Sequence, residues 1–289
     1  MWSDAFHPTT FFLERIIRSI SFAGRQHSRF ERFFSELALH GLDARELERL
    51  TCYLYDVKGT YKETGIFPWE EAWFRKDLPP APARILVGGA GTGREVRYLH
   101  TLGYDVVAFE PAPSLVLRAK VLDPQAFLAF LQGSYEDLVD PVRPRHADLN
   151  HQLQQFAPFD AVLLGWGSFS HVVDPGVREG IFRRIRELSP TGPALASFFL
   201  LPTELEPANG RMERWGRQTG RWLRKVGNRQ ENLVNSGDLI LFHAGFGHWF
   251  TPIEIESLAE QTGNDLIPAE GWPHPHEYPH CTFVPRPAN

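Results

Sequence analysis

The chain is expected to fold as an α/β protein on a doubly wound, mainly parallel seven-stranded sheet. Three observations predict this. From residue 83 onward, short apolar runs alternate with helical stretches, the pattern of a sheet covered by helices on both faces. The first four runs are apolar at nearly every position, as strands buried on both sides require. The first run enters a glycine cluster, Gly88 to Gly93, at the point where such sheets receive ligands.

Residues 1–80 are expected to be a helical cap or lid. Phe11, Phe12, Ile16, Ile17 and Ile20 recur at helical spacing behind Thr9 and Thr10, either of which can serve as N-cap. Phe30, Phe33, Phe34, Leu37 and Leu39 form a second stripe that Gly41 ends, and Asp43 can cap a third helix through Leu47, Leu50 and Leu54. The run Pro79-Pro80-Ala81-Pro82 suits neither helix nor central strand, so it marks the boundary of a core over 81–289. Within that core, strands are expected at Arg84–Val87, Asp105–Phe109, Phe127–Gln132, Phe159–Leu164, Ala194–Leu201, Asp238–His243 and Cys281–Val284. Helices are expected at Glu95–Leu102, from Ser114, at Val177–Leu188 and at Pro252–Gln261, the last capped by Thr251 with Glu254 at its third position. Residues 203–236 then form a lid-like insertion.

Composition narrows the function classes. Of 289 residues, 43% are hydrophobic and 22% charged, which allows a sizeable core. The formal charge of -5 argues against a dedicated nucleic-acid partner. Two cysteines give neither a disulfide framework nor a zinc spacing, and no stretch reaches the ~20 apolar residues of a membrane span. Met1–Thr10 has no basic segment leading into an apolar run, so a cytoplasmic, reducing setting is expected, with no membrane partner. Twenty-two Phe and eight Trp point to aromatic packing or an aromatic pocket.

The glycines Gly89, Gly91 and Gly93 leave G-x-G-x-G, and Arg94 stands where a dinucleotide loop would carry its third glycine. Glu110 ends the next strand, where a carboxylate can accept hydrogen bonds from both hydroxyls of a ribose. Further on come Gln132-Gly133-Ser134-Tyr135-Glu136-Asp137-Leu138, then Gly165-Trp166-Gly167 after the fourth strand, then Leu188-Ser189-Pro190-Thr191-Gly192-Pro193 before the fifth. In this order and spacing, residues 83–201 resemble the Rossmann-like core of the class I S-adenosylmethionine-dependent methyltransferases. The resemblance implies that Gly89, Ala90, Gly91, Thr92 and Gly93 cradle the methionine part of the cofactor and Glu110 with Pro111 holds the ribose. It implies that Ser134, Tyr135 and Glu136 meet the adenine, and that Gly165, Trp166 and Gly167 close the site. Val87 stands where many members carry an acid near the cofactor's amino group, and Ser134 replaces a common adenine-facing Asp. Tyr61, in the segment before the core, is a candidate contact for the cofactor's carboxylate end. The product would be S-adenosylhomocysteine.

Methyl transfer from a sulfonium needs an aligned nucleophile and, for some acceptors, a base. His171 follows the fourth strand and is the first candidate base, with packing or capping as its alternative. His243 and His248 flank a Gly-rich turn and are further candidates. The absence of a D/N-P-P-Y/F motif and of an Asp cluster after the fourth strand favours a metal-independent enzyme acting on oxygen or nitrogen of a small, aromatic or anionic acceptor. His274, His276, His280 and Cys281 match no standard metal spacing. Arg214, Arg217, Arg221 and Arg224 lie opposite Met212, Trp215, Trp222 and Val226, as in an amphipathic helix whose charged face is solvated. A nicotinamide-dependent oxidoreductase and a non-catalytic binding module are the alternatives.

Overall fold

The computed structural model describes residues 29–58, 65–139, 148–201, 210–227 and 234–287. Tyr61 lies outside them. The described residues fall into two compact units, those within 44–205 and 233–289 and those within 1–43 and 206–232.

The larger unit contains the expected sheet. Strands β1 (Arg84–Gly88), β2 (Asp105–Glu110), β3 (Ala129–Gln132), β4 (Ala161–Leu164) and β5 (Ala194–Ser197) run parallel in the order β3-β2-β1-β4-β5. The tail adds two strands beyond β5. The last strand of the chain (His280–Pro285) pairs antiparallel to β5, and Asn264–Pro268 pairs antiparallel to it at the edge.

Strand alternation sorts the core into two faces. Ile85 and Val87 lie with Val106, Ala108, Ala161 and Leu163 beneath α3 (Pro68–Asp77), α4 (Arg94–Thr101) and α5 (Pro113–Leu122). Leu86 lies with Val107, Phe109, Val162 and Leu164 on the face covered by α6 (Tyr135–Val139), α7 (Asp148–Gln154), α8 (Pro175–Leu188) and α10 (Pro252–Gln261). In α10, the Thr251 side chain accepts from Glu254 N and the Glu254 carboxylate accepts from Thr251 N, the reciprocal cap expected from the sequence.

Three elements differ from expectation. Asp238–Leu241 (β7) is a strand outside the main sheet: it pairs antiparallel with β8 (Gly245–Phe250), which pairs in turn with β6 (Phe199–Leu200) in a separate three-stranded sheet. The expected strand Ala194–Leu201 is therefore split around Phe198, and its second piece serves the small sheet. The seventh strand of the main sheet is β9 (Asn264–Pro268), with β10 (His280–Pro285) between it and β5. β8 is laced with Gly245 and Gly247, and β9 offers two apolar residues before a proline, so neither carries the usual strand pattern.

The division between the two units falls after Asp43. α2 (Ala44–Lys58) packs on β8 and α5, and Trp73 and Phe74 of α3, with Leu78 at its C-cap, lie in the core with Val87 and Leu99. Among the described residues, no helix is long and apolar enough to cross a membrane.

In the smaller unit the helix over residues 29–41 (α1) lies against α9 (Arg211–Val226). The inner face of α9 is not its aromatic stripe. Gly216 and Gly220 are buried, and a Cβ on them would stand 2.4 Å from Phe33 O and 2.7 Å from Leu37 O. The glycines that weaken α9 as an isolated helix are what let its backbone approach α1. Glu213, also buried, meets Arg32 at 3.3 Å, while Trp222 and Val226 stay exposed. Gly216→Ala therefore destabilises this unit: overpacking of about 1–3 kcal/mol exceeds a helix-propensity gain of about 1 kcal/mol. Gln218→Ala, on an exposed position, gains stability. Urea unfolding of the two variants checks the opposite signs.

Candidate functional site

The site is built at the carboxyl ends of β1, β2 and β4. After Gly88 the chain turns through Gly89 (φ 61°) and Gly91 (φ 54°), a region that costs a residue with a Cβ about 1–2 kcal/mol. A Cβ on Gly89 would also strike Ser168, 2.5 Å away, whereas one on Gly91 would point into open space. Ala90 N donates to Phe109 O at 3.1 Å, which ties the loop to β2. Glu110 ends β2 with a buried carboxylate. Its Oε2 accepts from Gly91 N at 2.9 Å and its Oε1 from Ala112 N at 3.0 Å. Burial pushes its pKa up to about 7 against those two hydrogen bonds.

A cavity of about 780 Å³ opens in front of this loop. Its lining includes Gly89, Ala90, Gly91, Thr92, Glu110, Pro111, Ser134, Tyr135, Glu136 and Trp166, all singled out in the sequence. Three other candidates shape the walls without lining the cavity. Gly93 (φ 81°) caps α4 with its Cβ position toward Phe130, Gly165 N donates to Gly88 O at 3.1 Å, and Gly167 N donates to the Ser197 hydroxyl at 3.0 Å. Asp137, absent from the sequence-derived set, joins the lining. Its carboxylate accepts from Ser134 N and Ser134 Oγ at 2.9 and 3.0 Å, fixing the turn after β3. Tyr135 reaches under the glycine turn, its hydroxyl 2.7 Å from Ser168 Oγ.

Glu95 and Arg94 also line the cavity, and both are buried. Arg94 meets both carboxylate oxygens of Glu70 at 2.6 Å and donates to Glu95 Oε1 at 2.7 Å. Its guanidinium sits 4.8 Å from the Trp166 ring centroid, a cation–π contact. Burial works against the charged guanidinium, but the two carboxylates outweigh it and hold its proton more tightly than usual. Burial raises Glu95, opposed by Arg94. Glu95 stands in the first turn of α4 and brings a carboxylate to the cavity, whereas Val87 is buried in β1 and does not line it. The sequence signal was faint: two adjacent charges just after a glycine loop.

α2 forms the facing wall. Thr51 Oγ1 accepts from Phe246 N at 2.9 Å, and Asp56 accepts from Ser114 N at 2.7 Å, so the helix is pinned to both β8 and α5. This presents Tyr55 to His171, which lies in the 3-10 turn Ser168–His171 after β4. His171 Nδ1 is 2.5 Å from Phe246 O, and its Nε2 is 3.0 Å from the Tyr55 hydroxyl. The carbonyl can only accept, so Nδ1 carries the proton and Nε2 accepts from Tyr55. Burial lowers the His171 pKa and raises that of Tyr55 to about 12. Tyr55 was missed because α2 reads as an ordinary helix.

His243 lines the cavity from an exposed position after β7. His248 does not reach it. It is fully buried in β8, with Nδ1 2.6 Å from Asp238 Oδ1 and Nε2 3.6 Å from Glu254 Oε1, too long for a hydrogen bond. The expectation that it acts as a base is corrected accordingly: it braces the small sheet. Cys281 is buried in β10, His280 packs 4.5 Å from the Trp73 ring, and no three metal-capable side chains converge among the described residues.

No family model matches the chain, and no curated protein matches it in sequence. Solved structures that align with it include a TehB-like SAM-dependent methyltransferase from Corynebacterium glutamicum, at 17% identity over 84% of this chain and 99% of that one, TM-score 0.45. They also include magnesium protoporphyrin IX methyltransferase from Synechocystis, at 11% identity over 83% and 97%, TM-score 0.49. A third is the glycopeptide N-methyltransferase MtfA, at 17% identity over 78% and 90%, TM-score 0.49.

Arg94→Met leaves two buried carboxylates without their cation, a loss of about 3–5 kcal/mol. Adding Glu70→Gln recovers part of that loss, since the two residues share one interaction. Denaturant unfolding of both single variants and the double variant gives the coupling.

Proposed function

We propose that this chain is a class I methyltransferase that moves a methyl group from S-adenosylmethionine to oxygen or nitrogen of a small molecule, without a metal ion. The observation that carries this is the buried Glu110 carboxylate beside an open left-handed glycine turn, facing the same cavity as a Tyr–His pair. The residues fit the donor. Space in front of Gly91 admits a ligand against the backbone, and Glu110 suits ribose hydroxyls. Ser134 to Asp137 flank the adenine side, while Arg94 and Glu95 bring a guanidinium and a carboxylate to the end that would receive an amino-acid group. Bound there, the sulfonium supplies an already activated methyl group.

The protein's own task is to align the acceptor and take its proton. With Nδ1 held by Phe246 O, His171 offers Nε2 as a base through Tyr55. The acceptor's proton passes to the Tyr55 oxygen as the Tyr55 proton passes to Nε2, leaving Tyr55 neutral and His171 protonated. This relay places a protonatable nitrogen next to the cavity while Tyr55, raised to about 12, never needs to ionise on its own.

Calorimetry with S-adenosylhomocysteine tests the donor. Micromolar binding is expected, and no binding at millimolar ligand sinks the proposal. Glu110 accepts two ribose hydroxyls only when ionised, and its pKa is about 7. Affinity should therefore weaken about tenfold from pH 8 to pH 6, and Glu110→Gln should bind weakly with no such slope. His171 acts as a base only when neutral, and burial lowers its pKa. The turnover rate kcat should therefore rise with pH along a limb below the ordinary histidine range, then stay flat through neutrality. His171→Gln and Tyr55→Phe should each lower kcat by about a hundredfold or more while S-adenosylhomocysteine affinity holds.

A further inference from the structure

The cavity is electrically divided. Its loop end carries Glu95, Glu110, Glu136 and Asp137, and the guanidinium of Arg94 beside them is paired with Glu70 and Glu95. A cationic donor suits that end. Another wall is α2, where Arg45, Arg49, Cys52 and Tyr55 follow at steps of about three or four residues and so line the cavity from one helix face, with Arg45 and Arg49 on the turns before the end that Asp56 ties to α5. Among the described residues no hydrogen bond or ion pair engages Arg45 or Arg49. Glu48 on the same wall has a partner of its own, and His243 approaches from the end of β7. Phe199, Leu241 and Val172 add apolar side chains to the same lining.

We infer that the methyl acceptor is an anion, a small molecule with a carboxylate or phosphate at one end of an apolar body, held at that end by Arg45 and Arg49. Both guanidinium groups offer paired donors that match either oxyanion. Arg49 precedes Tyr55 by six residues, about 9 Å of helix, so the anionic group and the methylated atom stand roughly one ring or a short chain apart. The nucleophilic oxygen or nitrogen then meets Tyr55 and His171, and the acceptor's charge stays away from the acidic donor end. The inference rests on the methyltransferase proposal and names the substrate class of that same site.

The test titrates the S-adenosylhomocysteine-loaded protein with matched probes. Para-hydroxybenzoate is compared with para-hydroxybenzamide, and para-aminophenyl phosphate with para-aminophenol. At least one anionic probe should bind about tenfold or more tighter than its neutral partner, weakening with added salt, and the better pair tells carboxylate from phosphate. The Arg45→Gln/Arg49→Gln double variant should lose that preference and its salt dependence while S-adenosylhomocysteine affinity is unchanged. Equal binding of neutral and anionic probes, no binding of any anionic probe at millimolar concentration, or a preference that survives the double variant each overturns the inference and leaves the donor assignment standing. Failure of S-adenosylhomocysteine itself to bind the unaltered protein sinks the donor assignment and this inference with it.

Discussion

A carboxylate at the end of β2 is the constraint around which the site is arranged. Glu110 is buried, and a buried anion is stable only where donors reach it. Two backbone amides do so, from Gly91 and Ala112, and they come from opposite sides: one from the loop after β1, the other from the turn into α5. The carboxylate thus sets the spacing of two loops at once. The amides only partly offset its burial, which is why its pKa stands near 7. A hydroxyl donor brought to this carboxylate would improve its solvation, and the left-handed glycine turn leaves open space beside it.

The second dependence is on α2, which is sequence-distant from the sheet and yet completes the cavity. Its position is not set by apolar packing alone. Thr51 bonds to β8 and Asp56 to the start of α5, two polar pins about one and a half helical turns apart. Between them lies Tyr55, and with the helix pinned on both sides of it its hydroxyl has a defined partner in His171 Nε2. The imidazole is oriented from its other side by Phe246 O, also on β8. One strand of the small sheet therefore fixes both members of the pair.

What was legible in the sequence follows from which constraints are local. The parallel strands, the glycine turn, Glu110 and the Thr251 cap each depend on neighbouring residues, and each is where the sequence placed it. The glycine-loop side of the cavity is continuous with those elements, so most of its lining was also readable. Tyr55, Arg45 and Arg49 were not, because a helix facing a cavity carries the same periodicity as one facing a core. The strands β8 and β9 were missed for a different reason: their pairing partners supply the order that Gly245, Gly247 and Pro268 withhold. In α9 the sequence showed an aromatic stripe and two weak points, and only contact with α1 shows that the weak points are the interface.

His248 illustrates how a plausible base becomes a brace. Behind the turn that carries His171, the Arg178 guanidinium donates to Val172 O and Val173 O, the two carbonyls that follow it. Asp238 lies 3.8 Å from Arg178 and accepts from His248, so α8, β7 and β8 meet in one buried cluster. Groups of this kind add little net stability over an apolar filling, yet each depends strongly on its partner. Their effect is on geometry: a shift of β8 would strain Asp238 and Arg178 together, and Arg178 holds the backbone on which His171 is mounted. Phe246, two residues before His248 on the same strand, orients the imidazole ring directly. The buried histidine therefore governs the cavity-facing one through the strand they both depend on, without touching anything that enters the cavity.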